Sequence, residues 1–563
     1  MVQDPSQGRE GQNALNSSIK GAGYLFLLQL SSRMATFLLN NFIQRVSSIT
    51  TVGMASGLEL LSGTILFLSR ENLRMVLLRS SEDSADDDTT VAPNSDHDAS
   101  KKRAVRRDIR RQQLVNLSYL PMLVGLLLVG LFALFRQSTA SNPGPSNATR
   151  IYILATLVEL CSEPMYLIVQ SSLMYNVRAK VEGFALLVRC LTTFSLTLLS
   201  CTSHTGEAVD TCGVESYAWG HLAYAVLLVF GYLRALSRDH GGARALLGIL
   251  RPRQIKTEAQ RPFYFDPYLL SVAWSFMAQS GLKYVLTEGD RIILLCMGGT
   301  NDEKGAYKMV SDLGSLIARI VFQPIEEAAR AFFSRTLASR DGIRTQDITL
   351  SIDLLSTLIR FHLFLATYFV FFATNYSGTL ISVLYGSGKA STPEIVLALS
   401  VYCLYVPLMG INGITEGFVQ GVGDSGAIRK QSYWMVACSA VFVAVAFVTM
   451  KVFDLGPSGL ILANMANMVM RIWFCWSFLQ RFLVETATQN LTANARTLCH
   501  EMYSRTMNPL ALIPGDFKGH VALVISWLLT FAYMRWYGWA TWKAKIGHVV
   551  VGGICALCVT GLM

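Results

Sequence analysis

The sequence predicts an all-α, polytopic membrane protein with about fourteen transmembrane helices. Of its 563 residues, 52% are hydrophobic and only 15% are charged, whereas a soluble globular chain carries about 25% charged residues. The apolar residues form long blocks, of the length that a helix needs to cross a bilayer, and polar segments separate them. The net charge of +10 is typical of basic cytosolic loops, and no folded basic domain of the kind that binds nucleic acid is evident.

Six spans are predicted in an N-terminal lobe, residues 21–236. They cover residues 21–43, 50–68, 114–135, 152–175, 184–199 and 217–236. Residues 1–20 are polar and lack the apolar core of a signal peptide, so we expect a cytosolic tail there. Residues 80–113 are first acidic and then basic, without periodicity, and this predicts a disordered cytosolic loop between the second and third spans.

A basic cytosolic linker, residues 237–266, leads to a C-terminal lobe, residues 267–481. The six spans predicted in this lobe cover residues 267–287, 306–333, 354–384, 393–422, 433–452 and 459–479. A partly polar connection begins at residue 482 and leads to two extra spans, 520–537 and 546–562. The segment 482–563 is therefore expected to add two helices to the two lobes.

The second span carries charges at membrane depth. At 100° per residue, one face of its helix presents Glu59, Ser62, Arg70 and Arg74. A charge at the bilayer centre costs about 3 kcal/mol or more on insertion scales, so such a face normally points to a protein interior or a wet cavity. Arg33 lies near the middle of the first span and faces the same cost. For Arg33, a structural ion pair with an acid such as Glu59 is the alternative to a substrate-facing cation.

The eighth span repeats this pattern. Its polar face carries Asp312, Ser315, Arg319, Gln323, Glu326 and Arg330. Glu59 and Ser62 have the spacing of Asp312 and Ser315, and extending the match needs a gap of three residues. The pattern predicts two structurally similar halves. Two further polar stripes at helical spacing are Asn412, Glu416 and Gln420 in the tenth span, and Asn464, Asn467 and Arg471 in the twelfth.

Loop charges predict the orientation in the membrane. With fourteen spans both termini lie on one side, and most loop Lys and Arg residues fall on that side, so we expect both termini in the cytosol. The sequon that begins at Asn147 then lies on the lumenal side, where it can be glycosylated. Cys201 and Cys212 lie on the same side, and a disulfide between them is a hypothesis that free thiols at both positions would contradict.

No catalytic or metal-binding pattern is evident in the sequence. The eight histidines are scattered, and the pair Cys555 and Cys558 lies in an apolar span without a second pair of ligands. The chain has neither a phosphate-binding P-loop nor a G-x-S-x-G nucleophile elbow. We therefore expect no enzyme activity, no metal and no cofactor.

Four separated motifs carry a resemblance to a known family. The stretches FLSRENLR (67–74), LTEGDR (286–291), DLGSLIARIVFQPIEE (312–327) and YCLYVPLMGINGITEGF (402–418) resemble the signature stretches of the eukaryotic Rft family. The resemblance covers nearly the whole chain. Where the family usually has Gly-Phe, this chain has Asn72-Leu73, and its acidic insert near 82–100 is a second departure. Neither departure removes an arginine.

The resemblance implies a fold, a location and a substrate. The fold is that of the multidrug, oligosaccharidyl-lipid and polysaccharide exporter superfamily, with two six-helix lobes around a central cavity. The location is the endoplasmic-reticulum membrane. The substrate is a dolichyl-diphosphate oligosaccharide of five mannoses and two N-acetylglucosamines, moved from the cytosolic to the lumenal leaflet for N-linked glycosylation. Membrane lipids and enzymes of the dolichol pathway are further candidate partners.

A diphosphate needs cationic hydrogen-bond donors, and the planar fork of arginine suits phosphate oxygens. The candidate substrate-binding cations are Arg33, Arg70, Arg74, Lys283, Arg291 and Arg319. The candidate gating acids, which would pair with cations in one conformation and release them in another, are Glu59, Asp312, Glu326, Glu327 and Glu416. For each acid, a static structural pair is the alternative.

Two other functions stay open at this point. A non-transporting accessory or scaffold protein of the dolichol-linked oligosaccharide pathway would keep the cavity without a transport cycle. A cation-coupled exporter of small molecules is the third candidate, and it is disfavoured because the charges at membrane depth are largely arginines. An exporter of organic cations should instead have an acidic cavity.

Overall fold

The computed structural model describes most of the chain. The described residues are 34, 37–71, 74, 112–113, 115–138, 146–172, 174–203, 207–239, 241–257, 260–265, 270–271, 281, 284, 288–337, 345–390, 392–490, 517–538 and 541–562. The predicted tail 1–20, Arg33, most of the loop 80–113, most of the seventh span and Lys283 lie outside them. Residues 37–46, at the end of the predicted first span, are helical.

The N-terminal half of the described chain consists of helices and one short hairpin. Its elements are α1 (Ile49–Leu66), a π-helical turn (Phe67–Glu71), α2 (Leu120–Ser138), α3 (Asn147–Leu160), α4 (Glu163–Ser171), α5 (Tyr175–Ser203), α6 (Glu207–Asp239), α7 (Ala243–Leu250), β1 (Ile255–Thr257) and β2 (Gln260–Phe263). The two strands pair antiparallel, with Ile255 opposite Phe263. This hairpin lies within the basic linker that the sequence places between the lobes.

The C-terminal half of the described chain is helical. Its elements are α8 (Gly289–Cys296), α9 (Asn301–Ile317), a π-helical turn (Ala318–Phe322), α10 (Gln323–Leu337), α11 (Thr345–Tyr368), a π-helical turn (Phe369–Ala373), α12 (Thr374–Tyr385), α13 (Ser387–Ala390), α14 (Pro393–Val422), α15 (Ser425–Phe447), a π-helical turn (Val448–Val452), α16 (Gly456–Asn490), α17 (Phe517–Tyr537) and α18 (Trp542–Leu562).

Local sequence explains where several helices begin. Ser48 caps α1 by accepting a hydrogen bond from the Thr51 amide at 3.0 Å, and Asp424 caps α15 in the same way through the Ala427 amide at 2.7 Å. Thr300 and Glu303 form a reciprocal capping box at the start of α9. These polar caps satisfy backbone amides that have no partner within the helix.

Ten helices in the described ranges are long and apolar enough to cross a membrane. The chain is therefore a multi-pass helical membrane protein, as the sequence predicts, while the total of fourteen spans stays a prediction. The tenth predicted span, residues 393–422, coincides with α14. The polar helical run 301–337 is not among the ten apolar helices, since its charges lower its hydropathy.

One helix is longer than the span predicted for it. The twelfth span is predicted to end at residue 479 and a connection to begin at 482, and α16 continues to Asn490. Hydropathy reports where a helix leaves the apolar layer, and a helix continues beyond that layer as long as its backbone bonds persist.

The chain divides into two compact units. The first comprises residues 1–51 and 57–285, and the second comprises residues 52–56 and 286–563. In the first unit, α5 packs along α6, and the core contains Tyr152, Tyr232, Leu236 and Leu246, each at most 1% exposed. In the second unit, Phe333 of α10 packs against Phe418 of α14 with ring centroids 5.0 Å apart.

The two C-terminal helices dock onto α12 within the second unit through buried polar contacts. The ring of His548 stacks on Tyr376 with centroids 4.0 Å apart, and its Nδ1 lies 2.9 Å from Thr379 Oγ1. Asn375 donates to Thr530 Oγ1 at 2.9 Å and to the carbonyl of Trp527 at 3.0 Å. The two extra helices are therefore part of the second unit.

Gly220 lies at a point of close approach between α5 and α6. A Cβ atom at Gly220 would overlap Oγ1 of Thr193 and would lie 3.0 Å from the carbonyl oxygen of Arg189. Gly220→Ala is expected to destabilise the protein by about 1–3 kcal/mol, because the β-branched Thr193 and a backbone carbonyl give way poorly. Thermal unfolding of the purified protein in detergent measures this loss.

Gly183 on α5 is the matched control, because nothing lies within 4 Å of the Cβ that alanine would add there. Gly183→Ala should stabilise the protein by about 0.5–1 kcal/mol through helix propensity. Equal melting temperatures for the two variants would contradict the packing of α5 on α6.

Candidate functional site

Two arginine–glutamate pairs lie side by side in the first unit, and together they form the paired ladder. Arg70 Nη1 donates to Glu159 Oε1 at 2.6 Å. Arg74 forms a two-pronged contact with Glu163, in which Nε and Nη2 donate to Oε2 and Oε1 at 2.9 and 2.5 Å. Arg70 Nη1 also lies 3.5 Å from Glu163 Oε1. The arginines are four residues apart, and so are the glutamates, so one register brings both pairs together.

Local structure positions both sides of the paired ladder. Arg70 lies in the π-helical turn that ends the membrane-spanning part of α1, and such turns are frequent at functional sites. Glu159 lies in the last turn of α3. Glu163 is the first residue of α4, where the helix N-terminus favours negative charge, and Pro164 follows it at a position that needs no backbone donor.

The paired ladder is asymmetric in its burial. The Glu159 and Glu163 side chains are 4% and 0% exposed, whereas Arg70 and Arg74 are 22% and 18% exposed. The Arg74 guanidinium lies over the ring of Tyr166, 3.7 Å from its centroid, which adds a cation–π contact. The carboxylates are thus the more deeply buried partners, and the arginine side chains are the part of the paired ladder that a ligand can reach.

A histidine lies beside the paired ladder. Nε2 of His221 is 3.1 Å from Ser62 Oγ and 4.0 Å from Glu159 Oε2, and Ser62 Oγ is 2.7 Å from Thr156 Oγ1. The imidazole stacks on Tyr152 with ring centroids 5.2 Å apart. This polar cluster lies on the face of α1 that the sequence predicts to be polar, and it joins α1 to α3 and α6.

Two further ion pairs extend the polar layer of the first unit. Arg189 Nη2 donates to Glu59 Oε1 at 2.6 Å, and Arg178 Nε donates to Glu182 Oε1 at 3.1 Å. Tyr232 donates to the same oxygen of Glu182 at 3.0 Å. The four arginines of this layer are matched by four glutamates, so the layer is close to neutral, and neutrality lowers the cost of holding these charges inside a membrane-spanning unit.

The second unit has its own part-buried ion pair, between α14 and α16. Arg471 Nη2 donates to Glu416 Oε2 at 2.6 Å, and Asn412 Nδ2 donates to the same oxygen at 3.0 Å. The other oxygen of Glu416 accepts from Gln420 Nε2 at 3.1 Å. Three residues of the predicted tenth-span stripe and one of the twelfth-span stripe therefore meet in one cluster.

The other predicted site residues of the second unit contact residues three or four positions away in the sequence. Arg291 pairs with Glu288 at 3.2 Å, Lys308 with Asp312 at 3.0 Å, and Arg330 with Glu326 at 2.5 Å. Glu327 accepts from Gln323 at 3.1 Å, and Arg319, which is exposed, donates to Ser315 Oγ at 3.1 Å. These residues lie between residues 288 and 337, in α8, α9, α10 and the turns beside them, and their contacts do not gather them into one site.

Most of the other predicted site residues, or their side chains, lie outside the part of the chain that the structure describes. Arg33 and Lys283 lie outside the described residues, as do the side chains of Cys201 and Cys212. Asn147 is exposed at the first position of α3. Among the described residues, no group of three or more His, Cys, Asp or Glu side chains is arranged to hold a metal ion.

The sequence analysis did not assign roles to Glu159, Glu163, Arg189 or His221. A signal for the first two existed, because two acids four residues apart match the spacing of Arg70 and Arg74. No spacing in the sequence indicates the pairing of Arg189 with Glu59 or the position of His221.

The second unit also contains an apolar cavity of about 450 Å³. Helices α9, α12 and α14 supply most of its wall, and Val549 of α18 contributes to it. Its lining is almost wholly apolar, which suits a hydrocarbon chain better than a polar ligand.

Comparison with known proteins identifies the family. The family model described as Rft protein matches residues 17–563. A relative from Saccharomyces cerevisiae, named Man(5)GlcNAc(2)-PP-dolichol translocation protein RFT1, is 32% identical over 506 residues, covering 85% of each chain. A relative of the same name from Candida glabrata is 31% identical over 85% of this chain and 86% of its own. One from Xenopus tropicalis is 26% identical over 98% and 95%.

Solved structures show the same fold at low identity. The lipid II flippase MurJ, in an inward closed conformation, is similar with a TM-score of 0.56 and 12% identity, covering 95% of this chain and 98% of its own. A multidrug-resistance MATE transporter in an inward-facing conformation has a TM-score of 0.50 and 13% identity, over 81% and 98%. The fold is thus that of membrane transporters. With a family model that spans nearly its whole length and relatives above 30% identity, this chain belongs to the Rft protein family.

Proposed function

We propose that this protein moves a dolichyl-diphosphate oligosaccharide, with five mannoses and two N-acetylglucosamines, from the cytosolic to the lumenal leaflet of the endoplasmic-reticulum membrane. The names of its relatives support the substrate. The observation that carries the proposal is the paired ladder, because it holds two part-exposed arginine side chains inside a membrane-spanning unit. Such groups suit the diphosphate of a lipid that must cross the apolar layer.

The chemistry of the paired ladder indicates how it would work. The two arginines and two glutamates of the paired ladder carry no net charge, so the ladder as a whole does not attract an anion. A diphosphate therefore binds strongly only if its oxygens replace the carboxylates as acceptors for the guanidinium donors. Phosphate oxygens would first contact the exposed edges of Arg70 and Arg74 and then draw them from Glu159 and Glu163. A carboxylate that loses its arginine would be a buried charge, so full separation of either pair is costly unless another group compensates it.

The proposal includes a topology. Two six-helix lobes, residues 21–236 and 267–481, would be joined by a cytosolic linker, and both termini would lie in the cytosol. Asn147 would then face the lumen, as would Cys201 and Cys212 with their proposed disulfide. An Asn147→Gln variant that removes a glycosidase-sensitive shift in gel mobility would support this orientation, whereas accessibility of residue 147 to a cytosolic labelling reagent would contradict it.

Reconstitution of the purified full chain into liposomes tests the function. The authentic glycolipid is placed in both leaflets, and an endoglycosidase added outside cleaves the glycans that it can reach. We expect the protein to expose the inner-leaflet glycans faster than protein-free liposomes do. If the protein binds the glycolipid but gives no acceleration, it acts as an accessory protein of the pathway instead.

A further inference from the structure

The cluster between α14 and α16 holds polar atoms that its own ion pair does not use. Asn412 is 6% exposed, and its Oδ1 has no hydrogen-bond partner among the residues that the structure describes. Nε of Arg471 and Oδ1 of Asn467 are also buried atoms without a hydrogen-bond partner among these residues. Asn467 lies one helical turn before Arg471 on α16. Buried polar groups in proteins are nearly always paired, so three such atoms on two helices that pack together call for an explanation.

The charges of this cluster are already matched. Glu416 accepts from Arg471, Asn412 and Gln420, so its carboxylate is satisfied and its charge is balanced by one guanidinium. The buried atoms of the cluster without a partner are one N–H donor, Nε of Arg471, and one amide oxygen acceptor, Oδ1 of Asn412, and Oδ1 of Asn467 nearby on α16 is a second such acceptor. The remaining capacity is therefore uncharged overall and mixed in kind.

A site with both hydrogen-bond donors and acceptors discriminates between classes of ligand. A phosphate oxygen only accepts, so it could use the Arg471 donor but would face two amide oxygens that repel it. A cation would suit the two oxygens but would lie beside the guanidinium. A hydroxyl group both donates and accepts, and neighbouring hydroxyls on a sugar ring present donors and acceptors a few ångströms apart.

We propose that Asn412, Asn467 and Arg471 form a site for sugar hydroxyls, which recognises the glycan of the lipid-linked oligosaccharide. This inference rests on the proposed function and deepens it, because it names the part of the substrate that the second unit would recognise. In the described state the three atoms are buried, so the side chains must part before a sugar reaches them. A glycan that supplies the missing hydrogen-bond partners then stabilises the arrangement in which these side chains have parted.

The test compares two lipids on the purified full-length protein in nanodiscs. One is dolichyl diphosphate carrying the seven sugars, and the other is dolichyl diphosphate without sugars. The measured quantity is the ratio of their Kd values. Asn412→Leu and Asn467→Leu keep the side-chain size but remove the amide, and each is expected to weaken binding of the glycosylated lipid about tenfold while leaving the sugar-free lipid unchanged.

Asn375→Leu is the matched control. Asn375 is as buried as Asn412 and lies in the same unit, but its amide is already bonded to Thr530 and the Trp527 carbonyl. This variant should lose thermal stability and keep the wild-type ratio of Kd values. A melting curve for every variant separates loss of fold from loss of recognition, and Asn467→Leu carries the test if Asn412→Leu does not fold.

Two outcomes would overturn parts of the account separately. If the Asn412 and Asn467 variants weaken both lipids equally, or neither, the sugar site is refuted and the proposed function stands. If the wild-type protein binds neither lipid, the proposed function itself fails.

Discussion

Replacing Glu163 with alanine is expected to lower the free energy of unfolding by about 3–5 kcal/mol, because removing one partner of a buried ion pair leaves the other charge without compensation. Glu163 is fully buried, and both of its oxygens accept from Arg74. Arg70 loses part of its compensation as well, since it lies 3.5 Å from the same carboxylate. Thermal unfolding in detergent should show a large fall in melting temperature.

Two comparisons make this result specific. Glu288→Ala removes the partner of Arg291 in a pair whose side chains are 27% and 32% exposed, and such pairs contribute about 0–1 kcal/mol. The double variant Glu163→Leu with Arg74→Met replaces the buried pair with apolar side chains and should recover most of the lost stability. Glu163→Ala melting at the same temperature as Glu288→Ala would contradict the buried pairing.

The second large effect concerns binding of the glycolipid. The charge-balanced double variant Arg70→Gln with Glu159→Gln removes one cation from the paired ladder without leaving its acid buried alone. Because a hydrogen bond to a charged group is worth about 1.5–3 kcal/mol, this variant should bind dolichyl-diphosphate lipids roughly 10- to 150-fold more weakly. Direct binding in nanodiscs and the liposome assay measure the loss.

The single variant Glu159→Gln should act in the opposite direction. It removes the carboxylate that competes for Arg70, so it should bind the same lipids more tightly than the wild type. Arg150→Gln is the control, because Arg150 is an exposed arginine on α3, the helix that carries Glu159. If Glu159→Gln weakens binding as much as the double variant does, the carboxylate supports the ligand and does not compete with it.

Helix periodicity predicted the polar face of α1 because its charges recur on one side of an apolar segment. Glu59, Ser62, Arg70 and Arg74 are all in polar contacts with α3, α4, α5 or α6. The fold class follows from the same kind of information, since blocks of apolar residues report membrane spans directly. These are properties of one helix at a time, which a sequence pattern records.

Partner choice was not predictable in the same way. Arg70 and Glu159 are 89 residues apart, and the contact depends on how α1 and α3 pack. The second unit makes the same point, because Glu416 could be read as a gating acid from its spacing, yet its link to Arg471 depends on the packing of α14 against α16. The length of α16 beyond the predicted twelfth span has another cause, since hydropathy reports how apolar a segment is and not how far its helix extends.

The π-helical turn at Phe67–Glu71 has a consequence for which sequence changes this helix tolerates. A π-turn amounts to one residue inserted into an α-helix, so the side chains on its two sides are out of phase by about 100° relative to an uninterrupted helix. Deleting a single residue there would reset the phase and swing Arg74 away from Glu163. Apart from Arg70, this stretch should therefore accept exchanges of side chain but no change of length. The same should hold for the turn at Ala318–Phe322, which contains Arg319.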